Sequence, residues 1–257
     1  MLRYNTETIA CGDHFVAGVV SPSCDSVATS DICSLAEEAK DYYRSLVAIP
    51  RQTHSLNVGV IDKWEMPSDF PATDALISFN QRVGVGVLTA DCVPIVVYAP
   101  DVEAVAAIHA GWKGTLGGIV DNTLRVLIDR GADPAKMKVI FGPSVSERVY
   151  EVDYDLGRRF EEAGFGACVS YPVNVNGKSE SAGPASISSE PPRPHVDLQG
   201  VNMERLLNNG VKMENIRLCG QCTLSSHDEE GKWLYPSYRR CHTPLRLLTY
   251  ICPTQEL

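Results

Sequence analysis

Three apolar runs follow one another almost without interruption: Val83–Ala90, Pro94–Ala99 and Ala104–Ile108. Each has the length and β-branched character of a buried strand, and only a short acidic turn separates the last two. The block reads as consecutive strands joined by short turns. It also holds a cysteine and a histidine seventeen residues apart, Cys92 and His109, each beside a strand end, so both side chains can meet at one sheet edge. A thiolate beside an imidazole suits a soft-metal site or a Cys/His nucleophilic pair. A buried core cysteine with a capped histidine would show the same spacing.

After His109, Gly111 and Gly114 open a segment in which Leu116, Ile119, Val120, Leu124, Leu127 and Ile128 recur at helical spacing. Strand, glycine-rich turn and helix together lift a side chain to a strand end and aim backbone N–H groups at whatever binds there. The glycines serve a tight turn equally well.

Elsewhere the pattern predicts an irregular start, a Ser/Cys/Asp-rich patch at Ser21–Ser30, and a helix over Ser34–Leu46 capped by Asp31. Strands are expected over Asn57–Ile61, Lys138–Phe141 and Leu245–Cys252, with another fed by Lys212–Leu218. Short helices are expected at Tyr154–Ala163 and, capped by Asp197, from there to Gly210. Val173–Pro194 is rich in Ser, Pro and Gly and reads as an exposed loop. His54 sits between two strand-like stretches, at an edge or in a loop. Arg239 and Arg240 form an arginine pair on a loop before the last strand, suited to phosphate or carboxylate.

With 257 residues, 44% of them hydrophobic, there is ample material for one core, and no linker divides the chain, so a single domain over 1–257 is expected. A net charge of −9 without a longer Lys/Arg cluster argues against nucleic acid and for a small-molecule partner. No run reaches the roughly 18–20 apolar residues of a membrane span, and the first residues lack a signal-peptide pattern. Nine scattered cysteines fit reduced thiols in a cytoplasmic protein, with Cys219 and Cys222 a weak CxxC signal.

The motifs resemble those of the YfiH-like family, labelled multicopper polyphenol oxidase or laccase-domain proteins and also described as purine nucleoside phosphorylases. The resemblance rests on Gln52–Thr53–His54, Asp74–Ala75–Leu76, Thr89–Pro94, His109–Trp112, Gly142–Val145, Tyr150–Val152, Asp197–Gly210, Cys222–Thr223 and Ser237–Arg240. It implies an α/β fold (α+β mixed), a single domain of packed mixed β-sheets flanked by helices, similar to the catalytic domain of cytotoxic necrotizing factors. It also implies a zinc ion held by His54, Cys92 and His109. Three ligands with an open fourth position is the arrangement of a catalytic zinc.

The implied activity is phosphorolysis of adenosine, inosine and methylthioadenosine, with deamination of adenosine. Cys92, His109, His54 and Asp91 would serve catalysis, and Gln52, Lys113, Arg239 and Arg240 would bind nucleoside or phosphate. The alternatives are a copper-dependent phenol oxidase and a non-catalytic binding protein on the same fold. Three family steps are replaced: an arginine-bearing T-x-R-x-G-G-x-S by Phe15–Ser21, a Cys pair before Tyr-Glu-Val by Glu147–Arg148, and a closing T-G-R by Thr243–Arg246.

Overall fold

In the computed structural model, residues 4–22, 46–63, 69–171 and 193–254 are described. The strands are β1 (Tyr4–Cys11), β2 (Phe15–Pro22), β3 (Leu46–Ala48), β4 (Val58–Ile61), β5 (Ala75–Ser78), β6 (Val83–Thr89), β7 (Val93–Ala99), β8 (Ala104–Ala110), β9 (Lys138–Phe141), β10 (Val169–Ser170), β11 (His195–Val196), β12 (Ile216–Leu218) and β13 (Leu247–Pro253). The helices are α1 (Trp112–Gly117), α2 (Ile119–Asp129), α3 (Tyr154–Phe160), α4 (Leu198–Asn208) and α5 (Tyr238–Cys241).

Period-two burial explains how these stack. Along β7, Val93, Ile95 and Val97 pack with Ile119, Leu124 and Leu127 of α2 and Val201 and Leu206 of α4. The intervening Val96 and Tyr98 pack with Val83, Val85 and Val87 of β6 and Ile251 of β13. The result is three layers: a five-stranded sheet ordered β1-β2-β13-β6-β3, a six-stranded sheet ordered β12-β9-β7-β8-β5-β4, and helices on the outer face of the second. Both sheets are mixed, since β3 runs parallel to β6, β4 to β5 and β12 to β9, while the other ladder pairs are antiparallel. The α/β character expected from the sequence is present.

Several elements depart from the sequence pattern. The start is not irregular: β1 and β2 form an antiparallel hairpin with a bulge between Thr8 and Ala10, and all eight residues of β2 are buried. The three apolar runs do not share one sheet, because β6 lies in the first and β7 and β8 in the second. Cys92 stands in the crossing between them. The helix after His109 is two helices, broken at Gly118, whose φ of 86° ends α1 and caps α2. Tyr238–Arg240 is one helical turn capped by the Ser237 hydroxyl, not a loop. Leu46, placed at the end of a helix, opens β3. The rest of that helix, its Asp31 cap, and nearly all of the Ser21–Ser30 patch and the Val173–Pro194 tract fall outside the described residues. None of the described helices is long and apolar enough to cross a membrane.

Candidate metal centre

Strand parity aims His109. On β8 it follows Val105 and Ala107, which face the other sheet, so its ring points into the seam between the two layers at the strand end. Cys92 reaches the same seam from the crossing between β6 and β7, and His54 arrives from the segment before β4. The donor atoms of His54, Cys92 and His109 all lie within 4.8 Å of one another. Cys92 Sγ is 3.9 Å from His54 Nε2, and the two imidazoles meet edge to face with centroids 4.8 Å apart. His109 is buried, Cys92 half-buried and His54 exposed, which leaves one side of the group open.

Asp74, fully buried at the start of β5, organises this group. Its carboxylate accepts three successive backbone N–H donors, from Thr53 (3.1 Å), His54 (2.9 Å) and Ser55 (2.7 Å), as well as the Ser55 hydroxyl (2.7 Å). Consecutive amides converging on one anion form a nest, and it holds His54 at a φ of 60° that a non-glycine residue rarely adopts. The same carboxylate meets His109 Nδ1 at 2.7 Å. An ionised carboxylate only accepts, so Nδ1 carries a proton and Nε2 is turned to the group. Burial would raise the Asp74 pKa, but His109, Ser55 and the amides hold it well below the usual carboxylate range.

Burial likewise pushes the Cys92 thiol up, yet hydrogen bonds and charge from His109 and His54 bring it down to about 6. The partner change is in His109: burial lowers its pKa, and Asp74 and Cys92 more than compensate, raising it to about 9. Near neutral pH the site thus holds a thiolate beside an imidazolium. Thiolate with two imidazoles is a donor set for a soft or borderline cation, and binding one would release the imidazolium proton. Gly111 supplies the remaining condition. A Cβ there would lie 2.9 Å from both Cys92 Sγ and His54 Cδ2, so its absence keeps room around the donors. Its φ is −71°, so space, not turning, is what requires glycine.

Asp91, φ 89°, braces the Cys92 turn. Its carboxylate accepts from the Thr223 hydroxyl and the Arg239 N–H, both at 2.7 Å, and its carbonyl accepts from Val145 N at 2.9 Å. Two clefts meet at Ala90, Cys92 and Tyr238. The larger, about 830 Å³, is walled by the ligand trio, Arg51, Gln52, Leu88 and Arg246. The smaller, about 350 Å³, is lined by Trp112, Tyr150, Leu198, Arg239 and His242.

The sequence-derived substrate residues separate accordingly. Gln52 lines the larger cleft, but its amide is engaged from both ends by the Leu88 backbone, donating to the carbonyl at 2.8 Å and accepting from the N–H at 2.7 Å. Arg239 lies in the smaller cleft, with its guanidinium 4.9 Å above the Tyr150 ring. Arg240 walls neither cleft; it donates to the carbonyls of Thr223 (3.0 Å), Leu224 (3.4 Å) and Tyr235 (2.7 Å) and covers the Trp233 ring. Lys113 is exposed on α1 beside Trp112 and walls neither cleft. The CxxC pair has a local use instead: Cys222 Sγ accepts from Ser146 N (3.4 Å) and Oγ (3.3 Å). Asp74 was visible only as part of a motif, and Gly111 only as a turn residue.

Comparison with known proteins places the chain in a family. Over 191 residues the chain is 31% identical to adenosine deaminase RL5 of an unknown prokaryotic organism, covering 70% of this chain and 66% of that one. It is 31% identical over 167 residues to the purine nucleoside phosphorylase of Deinococcus radiodurans, covering 65% of this chain and 55% of that one. The chain thus spans less than two thirds of the length of either relative. Among solved structures, the hypothetical protein YfiH of Bacillus licheniformis has the same fold, with a TM-score of 0.74 at 19% identity, covering 94% of this chain and 93% of that one. Residues 27–252, which include all three ligands and Asp74, match one family throughout, and the chain belongs to it: the multi-copper polyphenol oxidoreductase laccase family.

Proposed function

We propose that this protein is a zinc-dependent purine nucleoside enzyme, cleaving adenosine, inosine and methylthioadenosine with phosphate and deaminating adenosine. The observation that carries the reading is the ligand trio, with one side open, at the meeting of two clefts. His54, Cys92 and His109 would hold the metal, which when bound supplies a Lewis-acidic centre that makes water acidic near neutral pH. Relatives named adenosine deaminase and purine nucleoside phosphorylase support the substrate class.

The chain's own groups divide the remaining work. Asp74 fixes the tautomer and orientation of His109 and the conformation of His54. Asp91 sets the position of Cys92 through its backbone, by tying the turn to Thr223 and Arg239. Trp112, Tyr150 and Tyr238 in the smaller cleft offer flat faces on which a purine stacks, a sequence-tolerant contact worth roughly 1–3 kcal/mol per base. Gln52 keeps the His54 segment tied to β6.

A copper-dependent phenol oxidase is the second reading, favoured by the family's description and by the affinity of Cys/His₂ sites for copper. It ranks lower because a laccase uses several coppers and the described residues hold one such ligand group. Elemental analysis of the purified protein, with assays for phosphate-dependent base release and for ammonia from adenosine, tests both. About one zinc per chain and both activities are expected, and Cys92→Ala should lose metal and turnover while staying folded. Stoichiometric copper with phenol oxidation and no base release would replace the first reading with the second.

A further inference from the structure

We propose that Arg246 forms a phosphoryl-oxyanion subsite in the larger cleft, across from the ligand trio. This rests on the phosphorolytic reading above for its biological meaning, though the anion binding itself does not.

The walls of that cleft contain two arginines and two histidines and no carboxylate, in a chain whose net charge is −9. Asp74 offsets His109 from behind and Asp69 offsets Arg51, which leaves Arg246 as the wall cation with no acidic partner among the described residues. The two arginines are not equivalent. Arg51 is 67% exposed and ion-paired with Asp69. Arg246 is half-buried, and the partners it has among the described residues are carbonyls: Nη1 donates to Thr243 O at 2.9 Å and Leu245 O at 2.8 Å. Holding one nitrogen on two carbonyls fixes the plane of the guanidinium while neutralising none of its charge. A guanidinium stays charged at any accessible pH, and a partly buried cation without a counter-ion is costly. An oxyanion in the cleft would supply that counter-ion through charge-assisted bonds.

Register explains why the charge stands so close to the trio. Leu247 of β13 pairs with Thr89 of β6, so one further step sets Arg246 opposite Ala90, two residues before Cys92. Neither Arg240, whose donors are used by carbonyls, nor Lys113, which walls neither cleft, can take this role. β2, where the family pattern places an arginine, is buried throughout and presents Phe15–Ser21 instead.

The test is calorimetric titration of inorganic phosphate into the purified protein and into the variants Arg246→Ala and Arg246→Lys, with metal content measured in each. The wild-type protein should bind phosphate, Arg246→Ala should bind it roughly 10-fold or more weakly, and Arg246→Lys should fall between, since lysine keeps the charge but not the fork. Metal content should be equal in all three. The same titration with adenosine 5′-monophosphate separates free phosphate from a phosphate ester: the occupant is the anion whose affinity depends on Arg246. Equal affinity of Arg246→Ala for both anions, or binding of neither by the wild-type protein, overturns the subsite. Arg246-dependent binding without base release would keep the subsite and remove phosphorolysis. Base release with an unchanged phosphate KM in Arg246→Ala would keep phosphorolysis and remove the subsite.

Discussion

A missing methyl group at Gly111 sets how close the backbone after β8 can come to Cys92 and His54. Because its φ is ordinary, Gly111→Ala should fold normally and fail locally: the added carbon meets sulfur and imidazole at 2.9 Å. We expect metal affinity to fall about 10- to 100-fold, the range seen when groups supporting a metal site are disturbed, with little change in Tm. Competition against a chelator, alongside thermal melting, checks this, and a large drop in Tm with intact affinity would mean the glycine serves packing. At this scale the sequence was only partly legible. The spacing of Cys92 and His109 pointed to a shared edge because both flank apolar strands. Asp74 was not readable as their organiser, because its partners lie about twenty and thirty-five residues away and a carboxylate before a strand carries no periodic signal. The arginine pair was legible as charge but not as surroundings: Arg239 lines a cleft, while carbonyls surround Arg240.

The most legible elements were those buried along nearly their whole length, so β7, β8 and β9 stand close to where their uninterrupted apolar runs predict. What periodicity cannot convey is which sheet a strand joins. The passage of the chain from β6 in one layer to β7 in the other is a tertiary event, and it is this passage that places Cys92 between layers. The hairpin of β1 and β2 was missed because Thr6, Glu7 and Thr8 dilute the apolar signal of β1. The Gly118 break was missed because apolar spacing continues across it. One element carries a direct test. The Gln52 amide completes the end of β6 as a neighbouring strand would, accepting from and donating to Leu88. Gln52→Ala should therefore cost about 1–2 kcal/mol in denaturant unfolding and lower metal affinity, with both bonds lost at once. Unchanged stability with a raised nucleoside KM would instead make Gln52 a substrate contact.

Across the described residues, the core between the two sheets draws on every strand from β1 to β9 and on β13, so neither layer closes its core alone. β13, far along the chain, lies between β2 and β6 and binds the first layer together. We therefore expect a single cooperative transition, with calorimetric and van't Hoff enthalpies equal for the metal-free protein. Two resolved transitions would show that the layers unfold separately. The candidate metal centre draws its three donors from segments that enter or end strands of one layer, the six-stranded sheet. Asp74 grips both histidines at once, His54 through its backbone N–H and His109 through ring Nδ1, with both bonds made to the same oxygen, Oδ1. Cys92 stands one residue before Val93, which pairs with Ala110 beside His109, and Asp91 ties the same turn to Val145, Thr223 and Arg239. Separation of the two layers would therefore carry the three donors together. A cation held by them would sense strain within one sheet, not the movement of one layer against the other.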